Sequence, residues 1–197
     1  MSTNAAAQIP VELVARRPKR ADAQRNYDAV LAAARDSFAE LGVSASLEEI
    51  ARRAGVGIGT LYRNFPTRQA LLEAVYVDEV TQLCQSTESF SGLEPWPAFE
   101  AFCRRLVEYL HAKQALAAEL LDSVDRGAEL FVCCKSSLIS AGQPLLVRAQ
   151  EAGAVRADVQ FFDLIHLLGG IAKLPGDSRE QIDRLVSITL DGLRRRD

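Results

Sequence analysis

Apolar residues recur at three- and four-residue steps along nearly the whole chain, a spacing that commits it to packed helices. Tyr27, Val30, Leu31, Ala34, Phe38 and Leu41 form one such stripe, with Gly42 as its stop. Ser46 with Glu49 reads as a capping box that opens a short helix through Ala54, ended by Gly55. Thr67, behind Pro66, can cap a long helix carrying Leu71, Leu72, Val75, Tyr76, Val80 and Leu83 to about Gln85. Further stripes are Phe99, Phe102, Leu106, Val107 and Leu110, then Leu116, Leu120, Leu121 and Val124. Residues 128–140 and 144–152 read as two helices, the second stopped by Gly153. Asp158 can cap a helix over 159–172, and Ser178 with Gln181 a last one bearing Ile182, Leu185, Val186, Ile188 and Leu193. No stretch sustains a period of two, so the expected fold class is all-α.

Composition narrows the function classes. At 197 residues, 48% hydrophobic and 25% charged, the chain can bury a core without staples, which argues against disordered and fibrous classes. Cys84, Cys103, Cys133 and Cys134 fit neither a disulfide framework nor a zinc-finger spacing, so a reducing, cytoplasmic compartment is expected. The longest uncharged run, 136–147, is too short to span a bilayer, and the first residues do not read as a secretory leader. No membrane partner is expected. Net charge is −3, but residues 16–70 hold ten Lys/Arg against six Asp/Glu, or +4, which leaves −7 elsewhere. A basic N-terminal third on an acidic body makes a polyanion the candidate partner of that third.

Within it lies SLEEIARRAGVGIGTLYRNF, residues 46–65. A capped two-turn helix, a glycine that can take the left-handed conformation and a second short helix have the spacing of a helix-turn-helix. Ala51 lets the helices approach, and Ile50, Val56 and Leu61 can form their shared apolar wedge. The second helix can then project Ile58, Thr60, Tyr62 and Arg63 into a major groove. Ser46 and Thr67, at helix starts with free N–H groups, are suitable phosphate anchors. Arg63 is a candidate for a bidentate guanine contact.

Residues 22–75 resemble the DNA-binding domain of the TetR family of bacterial transcriptional regulators, through AVLAAARDSFAELG, SLEEIARRAGV and GTLYRNFPTRQALLEAV. The run LLVRAQEAGAVRADV is similar to a stretch seen in one branch of that family. The resemblance implies that Thr60 and Tyr62 contact phosphate or base edges, that Arg68 pairs with phosphate, and that Ser46 caps the second helix and reaches the backbone. The chain departs from the family at Gly57 and Gly59, where a serine cap and a larger residue are usual. Gly57 can still serve as an N-cap, whereas Gly59 weakens the helix and leaves a side-chain gap. The resemblance also implies a double-stranded DNA operator, a small-molecule effector and a homodimer built on the two C-terminal helices. The expected architecture is therefore a flexible basic tail over 1–19, a three-helix DNA-binding domain over 20–66, and a ligand-binding and dimerisation domain over 67–197.

In that last region Trp96, Phe99, Phe102, Cys103, Tyr109, Phe131 and His166 are the candidate walls of an apolar pocket. Phe161, Leu164, Ile165 and Leu168, with Ile182, Leu185, Val186 and Thr189, are candidates for the subunit interface, because the last two helices carry apolar residues on more than one face. Catalytic motifs are missing. The two histidines form no H-E-x-x-H pair, and GVGIGT follows a helix rather than a strand. A non-enzyme without metal or cofactor is expected: a ligand-responsive regulator, more a repressor than an activator. The alternative is a helical ligand- or partner-binding protein that has lost specific DNA reading.

Overall fold

The computed structural model describes residues 17–120, 126–174 and 179–195. Among them are eight α-helices: α1 (Ala21–Leu41), α2 (Leu47–Arg53), α3 (Ile58–Asn64), α4 (Arg68–Ser89), α5 (Pro95–Leu120), α6 (Arg126–Glu151), α7 (Phe161–Ala172) and α8 (Arg179–Leu193). The all-α expectation holds. By contacts the described residues form two compact units, one from 17–80 with 112–134 and the other from 81–111 with 135–195.

In the first unit, the α1 stripe is buried from Tyr27 to Phe38, while Leu41 is exposed beside the stop at Gly42, where φ is +52°. α1, α2 and α3 pack on one another around Ile50, Leu61 and Phe65, all fully buried. The Tyr27 and Phe65 rings meet at 4.8 Å. Burial pushes the Tyr27 hydroxyl up to about 12. α4 adds Leu71, Leu72, Val75 and Tyr76 to this unit's core. One polar cluster crosses it. Arg35 of α1 reaches Asp78 of α4 at 2.9 Å and also pairs with Glu79, which is almost wholly buried.

In the second unit, Phe99, Phe102 and Leu106 of α5 are buried with Leu146 and Ala149 of α6 and Phe161, Leu164 and Leu168 of α7. α7 packs on α8. Two expectations need correction here. The two helices expected around Pro144 are one, α6. Pro144 is exposed, so water can take the carbonyl that its missing N–H leaves free. The stripe from Phe99 to Leu110 lies in α5, which runs on without a break to Leu120. Asp158 does not cap α7. It binds Arg156 through two hydrogen bonds of 2.7 Å, and the cap position falls to Gln160, whose N–H donates to Asp163 at 2.8 Å. The side chains of Leu116, Leu120, Leu121 and Val124, together with Ser178 and residues 1–16 of the expected tail, lie outside the described residues.

Candidate nucleic-acid interface

α2 begins where the Ser46 hydroxyl accepts the Glu49 N–H at 3.1 Å. Only this half of the expected capping box supports the helix start through a side chain. The Glu49 carboxylate turns the other way, to Arg52 at 2.7 and 2.8 Å and to Arg53 at 2.9 Å. Hydrogen bonds from Arg52 and then Arg53 hold that carboxyl down to about 2. Arg53 also reaches Glu40 at 2.8 Å, tying α2 to α1. Both arginines of α2 are thus engaged within the head.

The chain reverses at Gly55, where φ is +67° and the Val56 N–H donates to the Ala51 carbonyl at 3.0 Å. Gly57 caps α3 in an extended conformation, and its carbonyl accepts from Thr60 and Leu61. No atom lies within 4 Å of where a Cβ would stand at Gly55 or Gly57. The two glycines therefore separate conformation from space. Gly55→Ala is expected to destabilise the head by about 1–2 kcal/mol, because only the left-handed backbone opposes it. Gly57→Ala, with φ at −69°, should leave the melting temperature nearly unchanged. Thermal denaturation of the two variants checks this; equal melting temperatures would contradict a turn held by Gly55.

α3 buries Leu61 completely and leaves Ile58 38% and Tyr62 44% exposed, with Arg63 exposed and Thr60 half-buried. Arg63 folds back along the helix, donating to the Thr60 hydroxyl at 2.9 Å and the Gly59 carbonyl at 3.2 Å. Its fork is thereby parked beside the outward face rather than extended from it. Thr67 begins α4 by accepting the Ala70 N–H at 3.0 Å. Arg68 takes a place that sequence reasoning missed: its guanidinium donates to the Ala45 carbonyl and lies 5.1 Å from the centre of the Phe38 ring. These contacts fasten the start of α4 to α1 and to the entry of α2. The signal was available in the arginine's closeness to a helix start, but a phosphate and a carbonyl oxygen ask the same thing of a guanidinium.

The C-terminal candidates scatter. Phe99, Phe102 and Cys103 are wholly buried and Tyr109 nearly so, which makes them core. Trp96 is half-buried, donates to Glu100 at 3.1 Å and carries the Arg194 guanidinium 4.0 Å from its ring centre. Phe131 belongs to the other unit, where it meets the Tyr76 ring edge-on at 5.1 Å. His166, expected inside because of its apolar neighbours, is exposed. Of the interface candidates, Phe161, Leu164, Leu168 and Val186 are buried within the chain itself, and Ile165, Ile182, Leu185 and Thr189 are half-buried. The outward apolar positions are Phe162, Leu167 and Ile188. Among the thiols, burial pushes Cys84 up to about 11 and raises Cys103 further, which disfavours the reactive thiolate. Cys134 is buried and Cys133 half-buried.

Comparison with known proteins adds family evidence to this geometry. Residues 30–75 match the family model for bacterial regulatory proteins of the tetR family, and residues 94–195 that for the SbtR-like transcriptional regulator C-terminal domain. The crystal structure of a TetR transcriptional regulator from Streptomyces coelicolor is 43% identical and superposes with a TM-score of 0.76, over 86% of this chain and 99% of that one. A TetR transcription regulatory protein from Mycobacterium vanbaalenii is 37% identical, with a TM-score of 0.73 over 90% of this chain and 99% of that one. An HTH-type transcriptional regulator of Staphylococcus aureus is 33% identical over 103 residues, 50% of this chain, and the match spans about half (53%) of that relative's length. With a matching head, a matching C-terminal domain and solved relatives covered almost end to end, the chain belongs to the TetR family of bacterial transcriptional regulators.

Proposed function

We propose that this regulator is a dimeric cytoplasmic repressor that holds a roughly palindromic operator until a small molecule releases it. Regulators of this family bind DNA operators and typically act as dimers with small-molecule effectors. The observation that carries the reading is the outward face of α3, where Ile58 and Tyr62 stand exposed behind a turn set by Gly55. Large, partly apolar side chains on a solvent face lose contact with water only if a partner covers them. In this reading Ile58 meets a thymine methyl or sugar, and Tyr62 donates its hydroxyl to a phosphate. Arg63 swings from Thr60 to a base edge. Ser46, Thr67 and the exposed Gly57 let phosphates approach the starts of α2, α4 and α3. Arg68 acts by holding α4 rather than by touching DNA.

The C-terminal domain, over 67–197, supplies the pairing. Phe162 and Leu167 of α7 and Ile188 of α8 form its apolar seam, and the half-buried Ile165 and Leu185 extend it. A ligand releases DNA only by preferring the incompetent state. Moving the balance from 1:99 to 99:1 takes a preference of about 10⁴-fold.

Fluorescence anisotropy with DNA from the chain's own promoter region tests the reading. The expected result is a saturable complex that weakens steeply with salt, as phosphate contacts require. Tyr62→Ala should weaken it roughly tenfold while the dimer stays intact. Unchanged affinity in that variant would remove Tyr62 from the interface. The absence of any salt-sensitive specific complex would favour a helical binding protein that no longer reads DNA.

A further inference from the structure

The run LLVRAQEAGAVRADV is not used by the reading head, and the structure shows what it builds. Gly153, at φ +69°, turns the chain after α6. The next residues then pair with the end of the chain. Val155 forms an isolated antiparallel bridge with Arg194, the Arg156 N–H donates to the Leu193 carbonyl at 3.0 Å, and the Arg195 N–H donates to the Ala154 carbonyl at 3.3 Å. Gln150 fixes the other side of the turn, its amide donating to the carbonyls of Arg156 at 3.1 Å and Val159 at 2.9 Å. A cleft of about 570 Å³ results, lined by Gln150, Val155, Arg156, Ala157, Arg194 and Arg195.

Three arginines, Arg156, Arg194 and Arg195, line one cleft. Asp158 neutralises Arg156 through its paired hydrogen bonds. Arg194 is held against the Trp96 ring, and Arg195 lies over Gly153. Neither Arg194 nor Arg195 has a carboxylate partner among the described residues. Two arginines without a carboxylate partner among the described residues therefore line one cleft, although the sequence outside 16–70 carries −7. A guanidinium stays charged at any physiological pH, and its planar fork matches the paired oxygens of a carboxylate or phosphate. The volume exceeds what an inorganic ion needs and lies in the range of small organic ligands. The Trp96 stack and the backbone bridge hold the site in shape before any ligand arrives, which lowers the ordering cost of binding.

We propose that this cleft binds a small organic anion through its oxyanion group, a carboxylate or a phosphate, with Arg194 and Arg195 as the anchoring side chains. Trp96, the sole tryptophan of the chain, is a built-in reporter because Arg194 rests on its ring. Full-length protein is titrated with citrate or with pyrophosphate at constant ionic strength, and Trp96 emission is followed, with sodium chloride as the reference. A saturable change with at least one probe is expected, and the probe that saturates at lower concentration distinguishes carboxylate from phosphate. Arg195→Gln should weaken it about tenfold while leaving the Arg194–Trp96 stack and the melting temperature in place. A drift that sodium chloride reproduces, or equal affinity in Arg195→Gln, would overturn the proposal. The assay contains no DNA, so its failure would leave the reading of α3 untouched.

Discussion

Replacing Arg35 with methionine is expected to destabilise the protein by about 3 kcal/mol, because Glu79 is then left charged and without this partner inside the core. This loss falls at the low end for breaking a buried pair, since the Arg35 side chain keeps 29% exposure while that of Glu79 keeps only 6%. In a chain of this size each kcal/mol moves the melting temperature by roughly 2–4 °C, so a fall of about 6–12 °C should be seen. Removing Arg35 and Glu79 together, with Arg35→Met and Glu79→Leu, should recover part of the loss, because similar apolar volume then fills the gap while Asp78 still loses its contact with Arg35. A single variant as stable as the parent, or a double variant no better than the single, would show that the cluster is solvated. The same cluster fastens α1 of the head to α4, so the single variant should also weaken DNA binding at temperatures where it remains folded.

The second large effect is at Gly142 of α6. A Cβ built there would fall under 3.0 Å from Phe102 Cζ and from Phe161 Cε2 and Cζ. Both rings are fully buried or nearly so and lie 6.0 Å apart, centre to centre. Gly142→Ala is therefore expected to lose about 1–3 kcal/mol to overpacking, against which the better helix propensity of alanine returns at most about 1 kcal/mol. Gly59→Ala provides the opposite sign. Nothing lies within 4 Å of its Cβ position, and alanine should stabilise α3 slightly. Urea denaturation of the two variants settles the comparison. A Gly142→Ala protein as stable as the parent would mean that the rings can move aside.

Much of this was legible in the sequence. The period of the apolar residues marks the helical class, and Gly42, Gly55 and Gly153 mark where φ turns positive among the described residues. Ser46 and Thr67 cap the helices that they were expected to cap. What stayed hidden depends on which face meets which partner. In α7 the doublets Phe161–Phe162, Leu164–Ile165 and Leu167–Leu168 put apolar side chains on both sides of the helix, and periodicity alone does not say which side the chain's own core takes. The structure gives Phe161, Leu164 and Leu168 to the core and leaves Phe162 and Leu167 outside. Pro144 reads as a break because sequence alone does not show that it lies on an exposed side of a helix packed elsewhere. The Arg35 cluster did leave a trace: Arg35 stands four residues after Leu31 and three before Phe38, on the buried side of α1. A charge at such a place needs a buried partner, and Glu79 supplies it.

In the proposed complex, two copies of α3, carried by one dimer, enter successive major grooves on one side of a duplex. Hydroxyl-radical footprinting on the chain's own promoter region checks this placement. Two protected patches, about 34 Å apart and related by a dyad in the sequence, are the predicted result. A single patch, or protection spread evenly without a dyad, would contradict it.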